Sequence, residues 1–340
     1  MTAPHRDRAH GSRGRDGFII VAVLWILIAL ATLASVFSIY LANTAVAVAV
    51  KDDVVQNELL VSSSLEFVAY ELLVPTQAKE QAQSQTQTQP QPQPQPQTQA
   101  QAQAKAQKPT RGAFRFRAGQ ATVTVNFACE TARVDLNAAP KVMLAGLLAA
   151  LGAPNETAES YADRIVGWRT APKPTDTANE DARYRTAGLT YGPRGAPFAH
   201  VDELWLVQGL PPAMIERMMP FVTVYSGRPE INVFDAPPEV IAALPGMNPS
   251  RLNAFLDRRE STPVDQDSIP RLLGQDQAGA TIEGSDAVRV RVRIAFDNGR
   301  QAASEVVVLL NADEEPYRVL SWRDDIDAAA AGQRAAQGLR

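Results

Sequence analysis

"GSRGRDGFIIVAVLWILIAL", residues 11–30, changes character at a single peptide bond. Arginines and an aspartate end at Gly17, and from Phe18 onward no charged residue occurs until Lys51. Phe18 to Leu41 has 24 residues with neither charge nor proline. As a helix they span about 36 Å at about 1.5 Å per residue, against about 30 Å of bilayer hydrocarbon. A secretory signal core is shorter, about 7–15 residues, so the run reads as an anchor. The small residues of "ANTAVAVAV" (42–50) suit signal peptidase and keep a cleavage reading beside it. Arg6, Arg8, Arg13 and Arg15 precede the run, and the acidic-leaning "KDDVVQNE" follows it. The positive-inside rule then expects a single pass with a cytoplasmic N-terminus and the bulk of the chain on the other side.

The helix is expected to continue past the anchor. "VVQNELLVSSSLEFVAYELLV" (54–74) places Leu59, Leu60, Leu65, Val68, Leu72 and Leu73 at helical spacing, and Pro75 marks its end. A one-sided helix over roughly 54–74 needs a folded partner to cover its apolar stripe.

The bulk properties exclude several classes. The chain has 340 residues, a net charge of -4 and a pI near 5.6, which argues against a general nucleic-acid surface. One cysteine, Cys129, rules out an internal disulfide framework and a Cys-rich zinc site. Of three histidines only His200 lies in the main body. No Gly-rich phosphate loop follows a strand, and neither G-x-S-x-G nor H-E-x-x-H is present, so no enzyme is expected.

Residues 77–108 form a Gln/Pro tract whose alternation cannot bury a core. Then the period becomes two. "FRFRA" (114–118) and "ATVTVNFA" (121–128) flank Gly119-Gln120 as a hairpin, and "ARVDLNAAP" (132–140) reads as a third strand leading to a helix. Helices are expected over 140–151 and 157–169, a loop over 170–197, and two short helices in "HVDELWLVQ" and "PPAMIERMM". "FVTVYS" and "PEINVFDA" read as short strands, and 237–259 as two helices joined at Pro245-Gly246. An antiparallel meander over 286–298, 303–312 and 317–324 closes the fold, turning at Asn298-Gly299. Strands on both sides of a helical block indicate one sheet with a helical insertion, an α+β fold.

Two stretches share a pattern: "VDLNAAPKVMLAGLLAALG" (134–152) and "INVFDAPPEVIAALPGM" (231–247). Each runs from an apolar strand through a polar residue and Ala-Pro into an apolar helix, which expects Asn137 and Asp235 to cap the helices. "LPGMNPSRLNAFL" (244–256) is similar to a helix-hairpin-helix. The DNA-binding form carries a second glycine where Asn248 stands, and Pro249 has no N–H to offer a phosphate, so packing is the favoured reading. Asp202 and Glu203 lack a nucleophile or histidine at catalytic spacing, and Glu203 suits the first turn of a helix. Asp176, Glu180 and Asp181 cluster oxygen donors able to hold Ca²⁺, or simply line a solvated loop, without EF-hand spacing.

Together these parts resemble the type II secretion minor pseudopilin K family. The resemblance rests on the leader ending at Gly17, Phe18 opening the apolar helix, "RVDLNAAP", "RYRTAGLTYGPRGAPFAHVDELWLVQGL" and "INVFDAPPEVIAALPGM", in that order. It implies a pilin-like long N-terminal helix packed on an antiparallel sheet, with a large all-α insertion of SAM or helix-hairpin-helix type. It also implies cleavage by prepilin peptidase between Gly17 and Phe18, methylation of the Phe18 amine, and an inner-membrane protein whose C-terminal domain is periplasmic. Its partners would be the other minor pseudopilins (H, I and J types), the peptidase and the inner-membrane platform of the secretion system, with no nucleic acid. Most pilin-like proteins carry glutamate at the fifth mature position, where this chain has Ala22. A tip subunit has no neighbour above it to neutralise, so the resemblance implies that an apolar Ala22 is the tip-defining position.

No cofactor is expected outright; some family members bind calcium in this domain, and Glu180 and Asp181 match their acidic pair, with Asp176 close in sequence, although Gly167 and Thr170 stand where family members commonly have acids. The expected division is a leader (1–17), the membrane part (18–41) and amphipathic part (42–76) of the first helix, and the Gln/Pro linker (77–110). First strands (111–136), a helical insertion of two related units (137–275), C-terminal strands (276–326) and a tail (327–340) follow. The competing reading is a membrane-tethered periplasmic DNA-binding protein using the hairpin at Pro245-Gly246.

Overall fold

The computed structural model describes residues 16–73, 108–172, 180–265, 267–274, 277–312 and 315–324. Most of the leader, Pro75, most of the Gln/Pro tract, Asp176 and the tail from 327 lie outside the described residues. Helix α1 spans Asp16–Leu73, and the chain divides into two units at Leu59/Leu60. In the first unit, Ile20–Thr44 has 25 residues with a mean hydropathy of 2.7 and is long and apolar enough to cross a membrane.

The second unit begins with the last turns of α1. Val61, Leu65, Val68, Ala69 and Leu72 are buried there, a helical stripe that packs on a sheet. The expected stripe is corrected at one end: Leu59 is 62% exposed, and Val61 and Ala69 take part instead. Ser64, polar but buried in that stripe, satisfies its hydroxyl by donating to the Leu60 carbonyl at 2.7 Å.

The sheet has five antiparallel strands: β1 (Arg111–Ala118), β2 (Ala121–Cys129), β7 (Ala287–Phe296), β8 (Gln301–Ala312) and β9 (Glu315–Asp324). They lie in the order β1-β2-β7-β8-β9, so β2 and β7 are neighbours although 157 residues of chain separate their facing ends. Period-two patterning builds it. Val123, Val125, Phe127, Val290, Val292 and Ile294 point to α1 and are buried, while the residues between them face away. The β1–β2 and β7–β8 hairpins turn at Gly119 and Gly299, whose φ of 57° and 87° only glycine adopts without strain.

Everything between β2 and β7 is inserted. It contains β3 (Val134–Asp135), α2 (Lys141–Ala150), α3 (Asn155–Arg169), α4 (Glu180–Thr186), a 3₁₀ turn (Val201–Leu206) and α5 (Pro212–Met218). Then come β4 (Val222–Thr223), β5 (Ile231–Asn232), α6 (Pro238–Ala242), α7 (Pro249–Arg259), α8 (Ser268–Leu273) and β6 (Ala280–Thr281). "VDLNAAP" does not extend the main sheet: β3 pairs in parallel with β4, and β5 pairs in parallel with β6. "VDELWL" forms a 3₁₀ rather than an α-helix, and α4 occupies part of the segment expected to be a loop. The insertion has its own core, centred on Leu144, Leu147, Ile165, Leu204, Met218 and Ile241.

The repeat in the sequence is a repeat in space, with a different polar residue at its centre. Asn137 and Asp235 do not cap the helices; Pro140 and Pro237 occupy the N-cap positions with no side-chain cap. Instead Asp135 Oδ1 accepts from Asn137 N at 2.7 Å, and Asn232 Oδ1 accepts from Phe234 N at 3.0 Å. Each folds the chain into an Asx turn five residues before the proline. Ala139 N and Ala236 N donate to the Asp135 and Asn232 carbonyls, both at 2.9 Å. The last residue of the second helix closes each unit. Arg169 donates to the Ala139 carbonyl at 2.7 Å, and Arg259 donates to the Ala236 carbonyl at 2.8 Å.

Candidate functional site

Gly17 and Phe18 fall within the bounds of α1, and Ala22 lies on α1 inside the Ile20–Thr44 span. Around them the apolar side chains of the span point outward: Trp25 is 71% exposed and Leu33 66%. A surface of that kind in water is unfavourable, and lipid or other apolar helices are its natural surroundings.

The acidic residues proposed for calcium are partly separated from that role by local packing. Glu180 and Asp181 open α4, and Asp176 lies outside the described residues. Glu180 Oε2 is 3.4 Å from Arg183 Nη1, and Gly167 leaves the space its carboxyl fills, since a Cβ there would be 3.1 Å from Glu180 Cδ. A Cβ on Gly192 would be 2.5 Å from Asp181 Oδ1. Among the described residues no three His, Cys, Asp or Glu side chains gather to hold a metal ion.

Asp202 and Glu203 are structural. The His200 imidazole Nδ1 accepts from Asp202 N at 3.2 Å and caps the 3₁₀ turn. Glu203 accepts from Trp168 Nε1 at 3.0 Å, Arg194 at 2.8 Å and Ala199 N at 3.1 Å, tying three segments together. In the hairpin, Asn248 caps α7 by accepting from Arg251 N at 2.9 Å. Arg251 turns inward to the Gly246 carbonyl at 3.0 Å and to the Leu273 carbonyl at 2.5 Å. Arg251 and Arg259 thus serve backbone carbonyls of the fold.

The strongest electrostatic feature was invisible to motif reading. Glu130, fully buried, receives Arg289 Nε at 2.7 Å and Nη2 at 2.9 Å, Arg133 Nη1 at 3.3 Å, and the Thr223 hydroxyl. Arg289 also reaches Glu305, which takes Arg291 Nε at 2.6 Å. The cluster joins the outward face of the sheet to the insertion and floors a cleft of about 550 Å³ whose wall includes Tyr225 and Arg323. Burial alone would raise the Glu130 carboxyl, but Arg289 and Arg133 hold it below its usual range. Glu305 is pushed down to about 2, because Arg289 and Arg291 outweigh its burial. Burial and the neighbouring Arg289 lower Arg133 to about 10. The one available signal was the alternation in "VRVRVRI" (288–294), which puts arginines at every second position of a central strand.

Residues 125–227 match the family model for type II secretion system protein K. They run from within β2 through the first of the two repeated units. No curated protein matches the chain in sequence. Among solved structures, the chain is similar to one from the GspK-GspI-GspJ complex of the enterotoxigenic Escherichia coli Type 2 Secretion System. The two are 18% identical with a TM-score of 0.47, over 63% of this chain and 83% of that one. That likeness is too loose to decide the fold. What the comparisons give this chain is therefore a likeness, over residues 125–227, to type II secretion system protein K.

Proposed function

We propose that the protein is a minor pseudopilin that stands at the tip of the type II secretion pseudopilus and initiates or caps its assembly. The match of residues 125–227 to protein K carries the reading. The apolar span of α1 supports it, since a filament subunit needs a helix that is first held in lipid and then packed among like helices. Prepilin peptidase would cut between Gly17 and Phe18 on the cytoplasmic side and methylate the Phe18 amine. Ala22 would suit the uppermost subunit, because a carboxylate there would lack a cation to pair with in an apolar setting. The role is structural and non-enzymatic. The expected partners are the other minor pseudopilins and the inner-membrane platform, with the C-terminal unit in the periplasm. Calcium at Glu180 and Asp181 is the cofactor to assay.

Mass spectrometry of the membrane-extracted protein tests this directly. The expected N-terminus is methylated Phe18, and Gly17→Ala is expected to retain the leader. A mature protein beginning elsewhere, or normal processing of the variant, overturns the reading.

A further inference from the structure

Strand β1 is an edge of the five-stranded sheet, bonded to β2 on one side only, so alternate N–H and C=O groups of Gly112–Ala118 point away from any described strand. Its two faces are chemically opposite. Phe114 and Phe116 point to the α1 side and are half-buried. They join Phe67 of α1, with ring centroids 6.1 Å, 5.3 Å and 6.2 Å apart. Phe67 is 53% exposed, so the three rings form an apolar ledge at the sheet margin. On the other face Arg115 and Arg117 are exposed, and Arg293 lies in line with Arg115 across Thr124. Arg117 meets Asp297 at 2.6 Å, while Arg115 has no acidic partner among the described residues.

Charged residues on an edge strand often serve only to prevent pairing. Here that explanation covers half of the pattern. A second copy of β1 would set arginine against arginine and be repelled. Yet Arg293, in line with Arg115, carries the arginine row on to central β7, where no edge needs protection, and the aromatic ledge is left open. An edge that rejects its own kind and offers guanidinium groups on one face and rings on the other selects a complementary strand. Guanidinium groups also recognise carboxylates by paired N–H donors.

We propose that the free edge of β1 receives a β-strand from another protein in which acidic residues alternate with apolar ones. Its backbone bonds to Gly112–Ala118, its carboxylates meet Arg115 and Arg117, and its apolar side chains lie on Phe114, Phe116 and Phe67. The inference uses only the sheet and α1, and stands independently of the pseudopilin reading.

The test uses the full-length protein in detergent and a fluorescent peptide, Glu-Val-Glu-Leu-Glu-Val-Glu, followed by anisotropy. Saturable binding is expected, weakened at least about tenfold by Arg115→Glu with Arg117→Glu and unchanged by Arg185→Glu on α4, scaled to two charge reversals at close pairs. A peptide with Gln for Glu should bind correspondingly worse, and peptides N-methylated at either alternate set of residues should separate, with one set abolishing binding. These peptide comparisons need no altered protein and decide the matter even where a variant fails to fold. The proposal is overturned by absent binding, by equal binding of both N-methylated sets, or by indifference to charge. A dimer of the unaltered protein that Arg115→Glu strengthens would assign the edge to a second copy and also overturn it.

Discussion

Gly146 lies against the carbonyl of Ala243, so closely that a Cβ on Gly146 would be 2.5 Å from that oxygen. Each is the sixth residue after the proline preceding its helix, Pro140 and Pro237. The two repeated units therefore meet at equivalent positions, α2 against α6. Gly146→Ala is expected to destabilise the protein by about 1–3 kcal/mol through overpacking against backbone that has no rotamer to yield. Thermal unfolding in detergent measures it, and a stability equal to the unaltered protein would show that the helices separate without cost.

Arg289 is the cation that makes a buried Glu130 tolerable. Arg289→Ala leaves that carboxylate with Arg133 at 3.3 Å and the Thr223 hydroxyl. The expected loss is about 3–5 kcal/mol, whereas Glu130→Met combined with Arg289→Met should cost less, because no carboxylate is stranded: Glu305 keeps Arg291, and Arg133 keeps the Pro220 carbonyl at 3.1 Å. Denaturant titration of the three variants reads the difference.

Acid should weaken the junction of sheet and insertion. Glu305 has its carboxyl lowered from 4.5 to about 2 in the folded protein. Its contribution is therefore present above about pH 4.5 and is lost as pH falls from there through about 2. Glu130, also lowered, acts in the same direction. Glu305→Gln should lower stability at neutral pH and flatten the acid limb of the stability curve, seen by melting at a series of pH values.

Cys129 is buried, and burial pushes its thiol up to about 11. It should react with maleimide at pH 7.5 roughly a hundredfold more slowly than an exposed thiol, and at the ordinary rate once the chain is unfolded. Rapid labelling of the folded protein would show that the end of β2 opens.

The anchor, the sheet and the insertion were legible because each carries a long repeated pattern. An apolar run of membrane length, period-two strands and paired Ala-Pro helix starts all report local chemistry. Short elements were harder to read. The seven residues of α4 and the six of α8 hold under two turns, too few to display a helical period. The polar residue of each repeat was assigned the wrong role: Asn137 and Asp235 looked like caps, yet Asn137 bonds Phe198, Asp235 pairs with Arg111 at 3.3 Å, and Asx turns form at Asp135 and Asn232.

By itself the sequence determined the long first helix with its apolar run, the period-two strands and the paired Ala-Pro helix starts, and it carries the likeness of residues 125–227 to protein K. Only the tertiary structure decided the partners. Glu130 and Arg289 are separated by 159 residues, and Phe67 and Phe114 by the whole Gln/Pro tract. Hydrophobic periodicity tells a side chain which way to face, while the identity of the group it meets depends on how distant elements are brought together.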